Sequence, residues 1–480
     1  MFKRVLIANR GEIAVRIIRA CQELGIETVA VYSDADKNAL HTQMADMRLR
    51  IGPEDAMESY LNKDALLYAA YQSEADAVHP GYGFLSEDAK FAEMVVKAGL
   101  TWIGPLPETI ALVGDKDAAR DAVEPSGIPM AKGSPPIYNN NVALELAKFV
   151  GYPAILKPVS GGGGKGMFIV HDETELKKVL NVIDVTKIRY YFEHYIERSR
   201  HIEVQIVADN FGEIIHLGER ECSIQRRNQK LLEESPSIAL SEEMRERVGK
   251  LAVAAAKSVH YSSIGTVEFL LDLATHEFYF MEINPRVQVE HGITEAITGI
   301  DLVRTQIKIA AGEPLDFSQK DVKFTGHAIE CRINAEDPEN NFMPAPGKID
   351  FMHAPTGPRV RFDSGVEAGL SIEPYYDSLI AKVIAHGRTR GDAIKIMQRA
   401  LNEFIIEGED IKTTIALHKR ILDDNFFRTG NIDTQFISKR LPVYSQEPRK
   451  LSLREKLNLK TMISENLTTV FDAGLNDFEV

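Results

Sequence analysis

Four consecutive glycines lie between two apolar runs and restrict the local structures that the centre of this chain can adopt. Residues 154–157 precede the segment PVSGGGGKG, and residues 167–170 follow it. Each glycine costs about 0.5–1 kcal/mol relative to alanine in a regular element, and a tight turn needs only one or two. Four of them are typical of a mobile flap whose backbone N–H groups approach phosphate oxygens. The segment therefore predicts a glycine-rich hairpin, with Lys157 ending the incoming strand.

Two commoner phosphate loops do not match this segment. Gly161, Gly163 and Gly166 satisfy the G-x-G-x-x-G spacing, but a dinucleotide fold requires that loop to open a helix, and here a strand-like run follows. The Walker pattern fails because Val159 stands where it requires glycine and Gly166 where it requires serine or threonine. A hairpin flap between strands remains.

The first hundred residues alternate between strand and helix patterns. Apolar strand-like runs occupy residues 5–8, 28–32, 75–78 and 101–105, and helical spacing occupies 13–24 and 63–71. This alternation predicts a parallel sheet covered by helices. The loop HPGYGFLSE, residues 79–87, has two glycines that allow close approach of a ligand, and Ser86 is predicted to cap the next helix. A tight strand-to-helix turn is the plainer interpretation of the same loop.

Composition excludes several classes of protein. The 480 residues carry 56 lysines and arginines against 70 acidic residues, a net charge of −14, which argues against a surface built to coat nucleic acid. No segment approaches the roughly 18 apolar residues of a membrane helix, and the N-terminus turns polar too early for a signal peptide. Cys21, Cys222 and Cys331 form no metal or disulfide spacing, so we expect a cytoplasmic protein.

Residues 281–290 alternate strictly between apolar and polar side chains. The polar positions are Glu282, Asn284, Arg286, Gln288 and Glu290. A strand has a period of two, so the pattern predicts one face that carries every functional group. An edge strand facing water would show the same alternation, but oxygen donors in this order suit a hard cation such as Mg²⁺.

Three further stretches add to this polar face. Glu268 lies in a strand-like run, residues 266–271, and pairing of the two strands would bring it beside Glu282. The stretch HIEVQI from His201 repeats the alternation, and residues 219–230 hold four cations after Glu219. A charge run usually forms a solvated face, but in an acidic protein with a phosphate flap it favours an anion-binding site.

Together these stretches resemble the biotin carboxylase family of ATP-grasp enzymes over roughly residues 1–440. The resemblance rests on the joint order of LIANRGEIAVRIIRA, HPGYGFLSE, GDKDAAR, GGGGKGM, RHIEVQ, ECSIQRRNQK, MEINPRVQVEH, ECRINAEDP and PYYDSLIAK. It implies an α/β and α+β multidomain fold. The expected parts are an N-terminal pre-ATP-grasp (Rossmann-like) domain at 1–113, an ATP-grasp domain at 114–325 with a mobile glycine-rich lid at about 131–203, a C-terminal biotin carboxylase domain at 326–445, and a tail at 446–480.

The family's activity implies a role for many residues. In it, ATP phosphorylates bicarbonate to carboxyphosphate, which breaks down to carbon dioxide, and carbon dioxide carboxylates the ureido nitrogen of biotin. The positions that match the ATP-binding set are Lys116, Lys157, Gly161, Gly162, Gly163, Gly164, Gly166, Glu193, His194, Ile196, His201, Gln225, Asn228 and Leu270. The positions that match the metal set, for Mg²⁺ or Mn²⁺, are Glu268, Glu282 and Asn284.

The bicarbonate and biotin positions follow in the same way. They are Tyr82, Lys230, Arg286, Gln288, Val289, Glu290 and Arg332. The resemblance implies catalytic roles for Lys230 and Arg286. It makes Glu290 the general base and Arg332 the cation that stabilises deprotonated biotin, which suits a reaction that develops anionic charge on both substrates.

The chain departs from the family pattern at a few places. Asn228 stands where many members carry histidine, and Gly292 follows His291 where proline is usual, which predicts a looser turn. The stretch 181–189 is shorter than in the family, which bears on flap closure, and 409–410 is an insertion.

Partners are implied in part by what the sequence omits. No Met-Lys dipeptide occurs, so we expect biotin on a separate carrier protein and the transfer step on a separate carboxyltransferase subunit. The family also implies a homodimer. Acetyl-CoA, propionyl-CoA and pyruvate, the last for the corresponding half of a two-subunit pyruvate carboxylase, all stay open as acceptors. The other hypotheses are a different ATP-grasp ligase with an acylphosphate intermediate and a non-catalytic nucleotide-binding subunit.

Overall fold

A computed structural model of the chain describes residues 1–159, 166–185 and 187–444. The predicted flap residues Gly161, Gly162, Gly163 and Gly164 and the predicted tail lie outside the described residues. Within the described ranges, no helix is long and apolar enough to cross a membrane.

The N-terminal part is a five-stranded parallel sheet, as the alternation predicts. Its strands are β1 Arg4–Ile7, β2 Glu27–Ser33, β3 Met47–Gly52, β4 Ala77–His79 and β5 Thr101–Trp102, in the order β3-β2-β1-β4-β5. Its helices are α1 Gly11–Glu23, α2 Leu40–Met44, α3 Lys63–Gln72, α4 Ala89–Lys97 and α5 Pro107–Gly114. The apolar residues of the central strand β1 are completely buried, because helices cover both faces of a parallel sheet.

The loop after β4 corrects one prediction. Helix α4 begins at Ala89, and the side chain of Asp88 caps it by accepting a hydrogen bond of 2.7 Å from the backbone N–H of Phe91. The prediction that Ser86 caps this helix was therefore wrong. A turn at residues 84–87 delays the helix start beyond the reach of the Ser86 hydroxyl.

A small antiparallel sheet carries the two strands that flank the glycines. This part consists of α6 Lys116–Val123, α7 Asn140–Val150, β6 Ala154–Pro158, β7 Phe168–Val170, α8 Glu173–Leu180 and β8 Tyr190–His194, with the strand order β7-β6-β8. Leu156 pairs with Phe168 across the β6–β7 hairpin, so the strand-glycine-strand prediction is confirmed for the two strands. Residues 199–203 of the predicted lid belong to the next sheet.

The described chain from residue 199 onward forms the largest sheet of the fold. Its elements are β9 Ser199–Ala208, β10 Ile214–Arg226, β11 Gln229–Ser235, α9 Glu242–Ser258, β12 Ser263–Asp272, β13 Phe278–Asn284, α10 His291–Thr298, α11 Leu302–Ala310, β14 His327–Asn334, β15 Glu336–Asp337, β16 Met343–Pro344, β17 Gly347–Lys348, β18 Phe351–His353, β19 Val360–Ser364, β20 Ser371–Ile372, β21 Leu379–Gly387, α12 Arg390–Glu403, β22 Ile405–Glu407, α13 Ile415–Asp423, α14 Asn425–Arg428 and α15 Phe436–Tyr444. The largest sheet has eight antiparallel strands in the order β13-β12-β9-β10-β11-β14-β21-β19, and β15–β16, β17–β20 and β18–β22 are separate two-stranded pairs.

The two faces of this sheet differ in chemistry because side chains alternate along each strand. The apolar face packs under α9 and α12, with residues such as Val204, Phe269 and Val383 in its cores. The opposite face carries buried charged residues, among them Glu203, Arg220, Glu268 and Lys382, together with the partly buried Arg332. Helix α10 lies on this charged face. Charges that are buried must be paired, so this face is where the fold concentrates its ionic interactions.

Buried histidines in the N-terminal part predict that the fold loses stability in acid. Burial lowers the pKa of His41 to about 4 and that of His79 to about 3. An unfolded histidine titrates near pH 6.5, so between about pH 6.5 and these values only the unfolded chain gains the protons. Each residue should therefore reduce the free energy of unfolding by up to about 1.4 kcal/mol for every pH unit of acidification.

The measurement is urea denaturation near pH 7 and near pH 5. His79→Asn should lose less stability on acidification than the unsubstituted protein, because one of the linked protons is gone. His353→Asn is the matched control, since His353 is exposed on β18. Equal acid sensitivity in His79→Asn and His353→Asn would contradict the linkage.

Candidate active site

Lys230 lies at the centre of the charged face. Its Nζ is 2.5 Å from Glu203 Oε2, 3.0 Å from Glu268 Oε1 and 2.6 Å from Glu290 Oε1. Burial would lower the pKa of Lys230, but these three carboxylates raise it well above its ordinary value. The lysine is therefore positively charged, and the carboxylates that hold it come from the two strands β9 and β12 and from the start of α10.

Glu290 is completely buried between two cations. Its second oxygen, Oε2, accepts a hydrogen bond of 2.8 Å from Nη2 of Arg332, opposite the contact with Lys230. Burial would raise the pKa of Glu290, but Lys230, Arg332 and Arg220 hold it well below its ordinary value. The carboxylate is therefore charged in this state, and any group that draws one cation away would raise its proton affinity.

Arg332 also holds a second carboxylate. Its Nε donates to Glu233 Oε1 at 2.6 Å. Burial raises the pKa of Glu233 to about 7, with the charge of Glu290 adding to the effect and Arg332 opposing it. Sequence reasoning missed Glu233, because nothing in the stretch LLEES marks it. It missed Glu203 as well, although Glu203 shares the polar positions of HIEVQI with His201.

The predicted metal ligands lie side by side. Glu268 is directly opposite Glu282 in the β12–β13 pairing, and Asn284 Nδ2 donates to Glu268 Oε1 at 3.0 Å. Burial and the charge of Glu268 raise the pKa of Glu282. Two adjacent carboxylates repel each other, and a divalent cation relieves that repulsion, so these oxygen donors fit Mg²⁺ or Mn²⁺.

His201 stands on the other side of the carboxylates. Its Nε2 is 2.9 Å from Glu268 Oε2. Burial would lower the pKa of His201, but the charge of Glu268 raises it. Within the described ranges, the groups of three close enough to share one ion are His201 with Glu203 and Glu268, and Glu203 with Cys222 and Glu290. Glu282 belongs to neither group.

The polar stretch 281–290 is only partly a strand. Strand β13 ends at Asn284, and residues 285–290 form a loop and turn that lead into α10. The prediction of an extended strand to residue 290 was therefore wrong. Pro285 has no N–H for a strand ladder, which favours the exit from the sheet at this position. The polar side chains still converge: Gln288 Nε2 is 3.4 Å from Glu268 Oε1, and Arg286 Nη1 donates to Gln288 Oε1 at 2.8 Å.

Gly292 lies in the first turn of α10. A Cβ atom built on Gly292 would lie 2.4 Å from Cδ1 of Ile384, so the side chain of Ile384 on β21 takes up the space beside the glycine. The effect of this glycine on the looseness of the turn stays a prediction.

The N-terminal loop HPGYGFLSE reaches this site. Nε of Arg286 donates to Glu87 Oε1 at 2.7 Å, and the Tyr82 hydroxyl donates to Glu12 of α1. Arg332 is close enough to Tyr82 to act on the pKa of its hydroxyl. Glu87 and Glu12 were not among the predicted site residues.

The residues expected to hold the nucleotide form a second group. Lys157 contacts Glu193, and Nη1 of Arg120 donates to the other oxygen of Glu193 at 2.5 Å. Lys116 begins α6 and acts on the pKa of Glu282. Arg120 was missed by sequence reasoning.

The remaining nucleotide positions differ in their burial and in their neighbours. Ile196 is buried, Leu270 pairs with His201 across β12 and β9, and Gln225 is opposite Lys230 in the β10–β11 hairpin. His194 and Asn228 are exposed, and Gly166 has a positive φ of 75°. Neither His194 nor Asn228 has a hydrogen bond to the carboxylates around Lys230 in the part of the chain described.

The cations of the basic run at 219–230 have different surroundings. Arg220 is completely buried, and its guanidinium donates to Glu203, Gln205, Thr266 and Thr294 at 2.5–3.0 Å. The prediction of an anion site was wrong for this residue, because protein groups take up its donors. Arg226 stacks on the ring of Phe342, and Lys230 alone of the four cations contacts Glu290 in the described structure.

Three family models match consecutive parts of the chain. They are the biotin carboxylase N-terminal domain at residues 1–110, the carbamoyl-phosphate synthase L chain ATP-binding domain at 115–318, and the biotin carboxylase C-terminal domain at 330–439.

Similar proteins span nearly the same length. "Biotin carboxylase 1" of Bacillus subtilis is 53% identical over 447 residues, 91% of this chain and 98% of that protein. A pyruvate carboxylase subunit of Methanothermobacter thermautotrophicus is 47% identical over 458 residues, 94% of this chain and 92% of that one. The crystal structure of the biotin carboxylase domain dimer of Hydrogenobacter thermophilus 2-oxoglutarate carboxylase, with MgADP, ADP and bicarbonate, has a TM-score of 0.87 at 45% identity and covers 94% of this chain and 100% of that one.

Proposed function

Because the chain belongs to the biotin carboxylase family of ATP-dependent ligases, we propose that it carboxylates biotin on a separate carrier protein, as the biotin carboxylase subunit of an acetyl-CoA or propionyl-CoA carboxylase. The observation that supports this most is Glu290, a buried carboxylate clamped between Lys230 and Arg332. A general base, an anion-binding cation and a cation for an anionic nucleophile are what this half-reaction requires.

The first step joins bicarbonate to the γ-phosphoryl group of ATP. A bicarbonate oxygen forms a bond to the γ-phosphorus, the bond to the β,γ-bridging oxygen breaks, and ADP leaves. Lys230, Arg286, Gln288 and Val289 bind the bicarbonate, and Glu290 takes its proton. A bound anion shares the charge of Lys230, so it raises the proton affinity of Glu290 when the base is needed.

The second step transfers carbon dioxide to biotin. Carboxyphosphate breaks down to carbon dioxide and phosphate inside the site. The released phosphate takes the proton of the biotin ureido N–H, and the deprotonated nitrogen then forms a bond to the carbon of carbon dioxide. Arg332 stabilises the negative charge on that group, and Tyr82 lies on the biotin side. Both are held by residues of other elements, Arg332 by Glu233 and Tyr82 by Glu12, so little reorganisation is required as charge develops.

The nucleotide side is assigned in the same way. Glu268, Glu282 and Asn284 hold Mg²⁺ or Mn²⁺, which when bound neutralises charge on the phosphates. The ATP-binding residues are Lys116, Lys157, Gly161, Gly162, Gly163, Gly164, Gly166, Glu193, His194, Ile196, His201, Gln225, Asn228 and Leu270. Lys157 contacts Glu193 in this state, so the phosphates must compete with that carboxylate for the lysine.

The partners and the final acceptor are part of the proposal. The protein acts as a homodimer in the cytoplasm, and the carrier protein and the carboxyltransferase are separate chains. The three cysteines are free and buried, which suits a reducing compartment. The same half-reaction in a two-subunit pyruvate carboxylase is a second candidate, because one relative with 47% identity is named as part of a pyruvate carboxylase.

The test is phosphate release by the purified protein. We expect ATP cleavage that requires bicarbonate, biotin and Mg²⁺ together, with each omitted in turn as a control. A protein that binds ATP but releases no phosphate under these conditions would contradict the proposal. Mass spectrometry of the transferase that co-purifies from native cells then separates an acyl-CoA carboxylase from a pyruvate carboxylase.

A further inference from the structure

A lysine with no assigned role is completely buried behind the catalytic turn. Lys382 lies on β21 with its side chain wholly excluded from solvent. Its Nζ donates to the backbone carbonyl of Val289 at 2.7 Å and lies 3.1 Å from Glu12 Oε1. A lysine is almost never fully buried unless it is paired. The interactions of Lys382 therefore explain its position, and one of them is with the turn that carries Glu290.

The strand register places Lys382 on the charged face of the large sheet. It is directly opposite Arg332 on β14 and Asp363 on β19. Cross-strand partners share a face, so Lys382 and Arg332 stand side by side, and they approach the start of α10 from the same direction. Arg332 contacts the carboxylate of Glu290, whereas Lys382 contacts the backbone just before it.

The carbonyl of Val289 and the N–H of Glu290 belong to the same planar peptide unit. A hydrogen bond to that carbonyl therefore fixes the plane from which the Glu290 side chain departs. Glu290 makes no hydrogen bond of its own to cap α10, so the turn depends on other groups for its orientation.

We propose that Lys382 is a positioning residue for the carboxylation site, which acts through the Val289 peptide to keep the Glu290 carboxylate between Lys230 and Arg332. This inference rests on the proposed function. Lys382 itself has no hydrogen bond to Lys230 or Arg332. Because it lies behind the turn, it does not contact the substrate. The cost of displacing a reacting group by about 1 Å is on the order of 100-fold in rate, so a backbone anchor of this kind has a measurable effect.

The charges around Lys382 keep it in its donating form. Burial would lower the pKa of Lys382, but Glu12, Glu330 and Asp363 raise it above its ordinary value. Glu12 also accepts the hydrogen bond of Tyr82. One ammonium group thus ties together α1 of the N-terminal part, the catalytic turn and β21.

The experiment compares Lys382→Met and Lys382→Arg with Lys308→Met. Lys308 is a partly exposed lysine on α11 that pairs with Asp316 at 3.2 Å. Both Lys382 variants should lower kcat by about 10- to 100-fold and raise the KM for bicarbonate, with an unchanged dissociation constant for ATP. Lys308→Met should match the unsubstituted protein. Either of two results would overturn the inference: normal kcat and bicarbonate KM in a folded Lys382 variant, or a parallel loss of ATP binding, which indicates a general structural role.

A second readout does not depend on activity. Amide hydrogen exchange at residues 290–293 should be faster in Lys382→Arg and unchanged in Lys308→Met. Because Lys382→Arg keeps the positive charge, it serves for this measurement even if Lys382→Met does not fold. Unaltered exchange in Lys382→Arg would refute the positioning role. If the unsubstituted protein cleaves no ATP with bicarbonate, the proposed function has failed, and the exchange result still decides whether Lys382 anchors the turn.

Discussion

Replacing Glu290 with glutamine should lower bicarbonate-dependent ATP cleavage by about 100- to 10,000-fold, which is the range that a general base contributes. Glutamine has nearly the same volume, so it fits the buried space beside Lys230 and Arg332. It cannot take up the bicarbonate proton. Glu290 lies in the cluster of Lys230 and Arg332, whereas Lys157 and Glu193 form a separate contact, so ATP binding should be unaffected.

The measurement for Glu290→Gln is steady-state phosphate release together with calorimetric titration of ATP. Glu246→Gln is a suitable control, since Glu246 is an exposed residue of α9 that pairs with Lys250. Full activity in Glu290→Gln would remove Glu290 from the reaction. An equal loss of ATP binding would mean that the carboxylate supports the fold of the site and is not its base.

Replacing Arg220 with methionine should lower the free energy of unfolding by about 3–5 kcal/mol, the usual cost of removing one partner from a buried ion pair. Arg220 is completely buried, and its guanidinium is bonded to Glu203, Gln205 and residues of β12 and α10. Without it, the charge of Glu203 faces Lys230 alone, and three other acceptors lose a donor.

The size of this effect is measured by urea denaturation against Arg247→Met. Arg247 pairs with Glu277 at the surface, where both side chains are about 40% exposed, and exposed pairs contribute about 0–1 kcal/mol. A shift for Arg220→Met no larger than for Arg247→Met would contradict the role given to the buried guanidinium. Because a chain of this size can unfold in several transitions, the comparison uses the transition that reports on the large sheet.

Several features could be predicted from the sequence because their causes are local. The alternation of strand and helix patterns predicted the parallel N-terminal sheet, and the apolar runs on either side of the glycines predicted the β6–β7 hairpin. The side-by-side position of Glu268 and Glu282 followed from two strand-like runs close in the chain. The candidate site residues came largely from ordered motifs, and their roles stay predictions.

The wrong predictions share one cause: a sequence pattern shows neither where an element ends nor which distant residues a side chain contacts. A period of two shows which side chains share a face, but it does not show where a strand ends, so β13 stops at Asn284 although the alternation continues. A run of charges does not show its partners, so Arg220 was expected at an anion site and lies inside the sheet. Glu203, Glu233 and Lys382 were missed as contributors to the site for the same reason.

The amino-acid sequence alone was enough for the fold class and the family, since these depend on short-range periodicity and on motifs in a fixed order, and the same motifs predicted the candidate site residues. The charge state of the site depends on contacts between distant residues. Glu290 contacts Lys230 and Arg332, which lie 60 and 42 residues away in the sequence. These contacts form because the sheet places β11 and β14 beneath α10. Burial there strengthens every ionic interaction, so folding converts scattered acidic and basic residues into a buried carboxylate held between two cations.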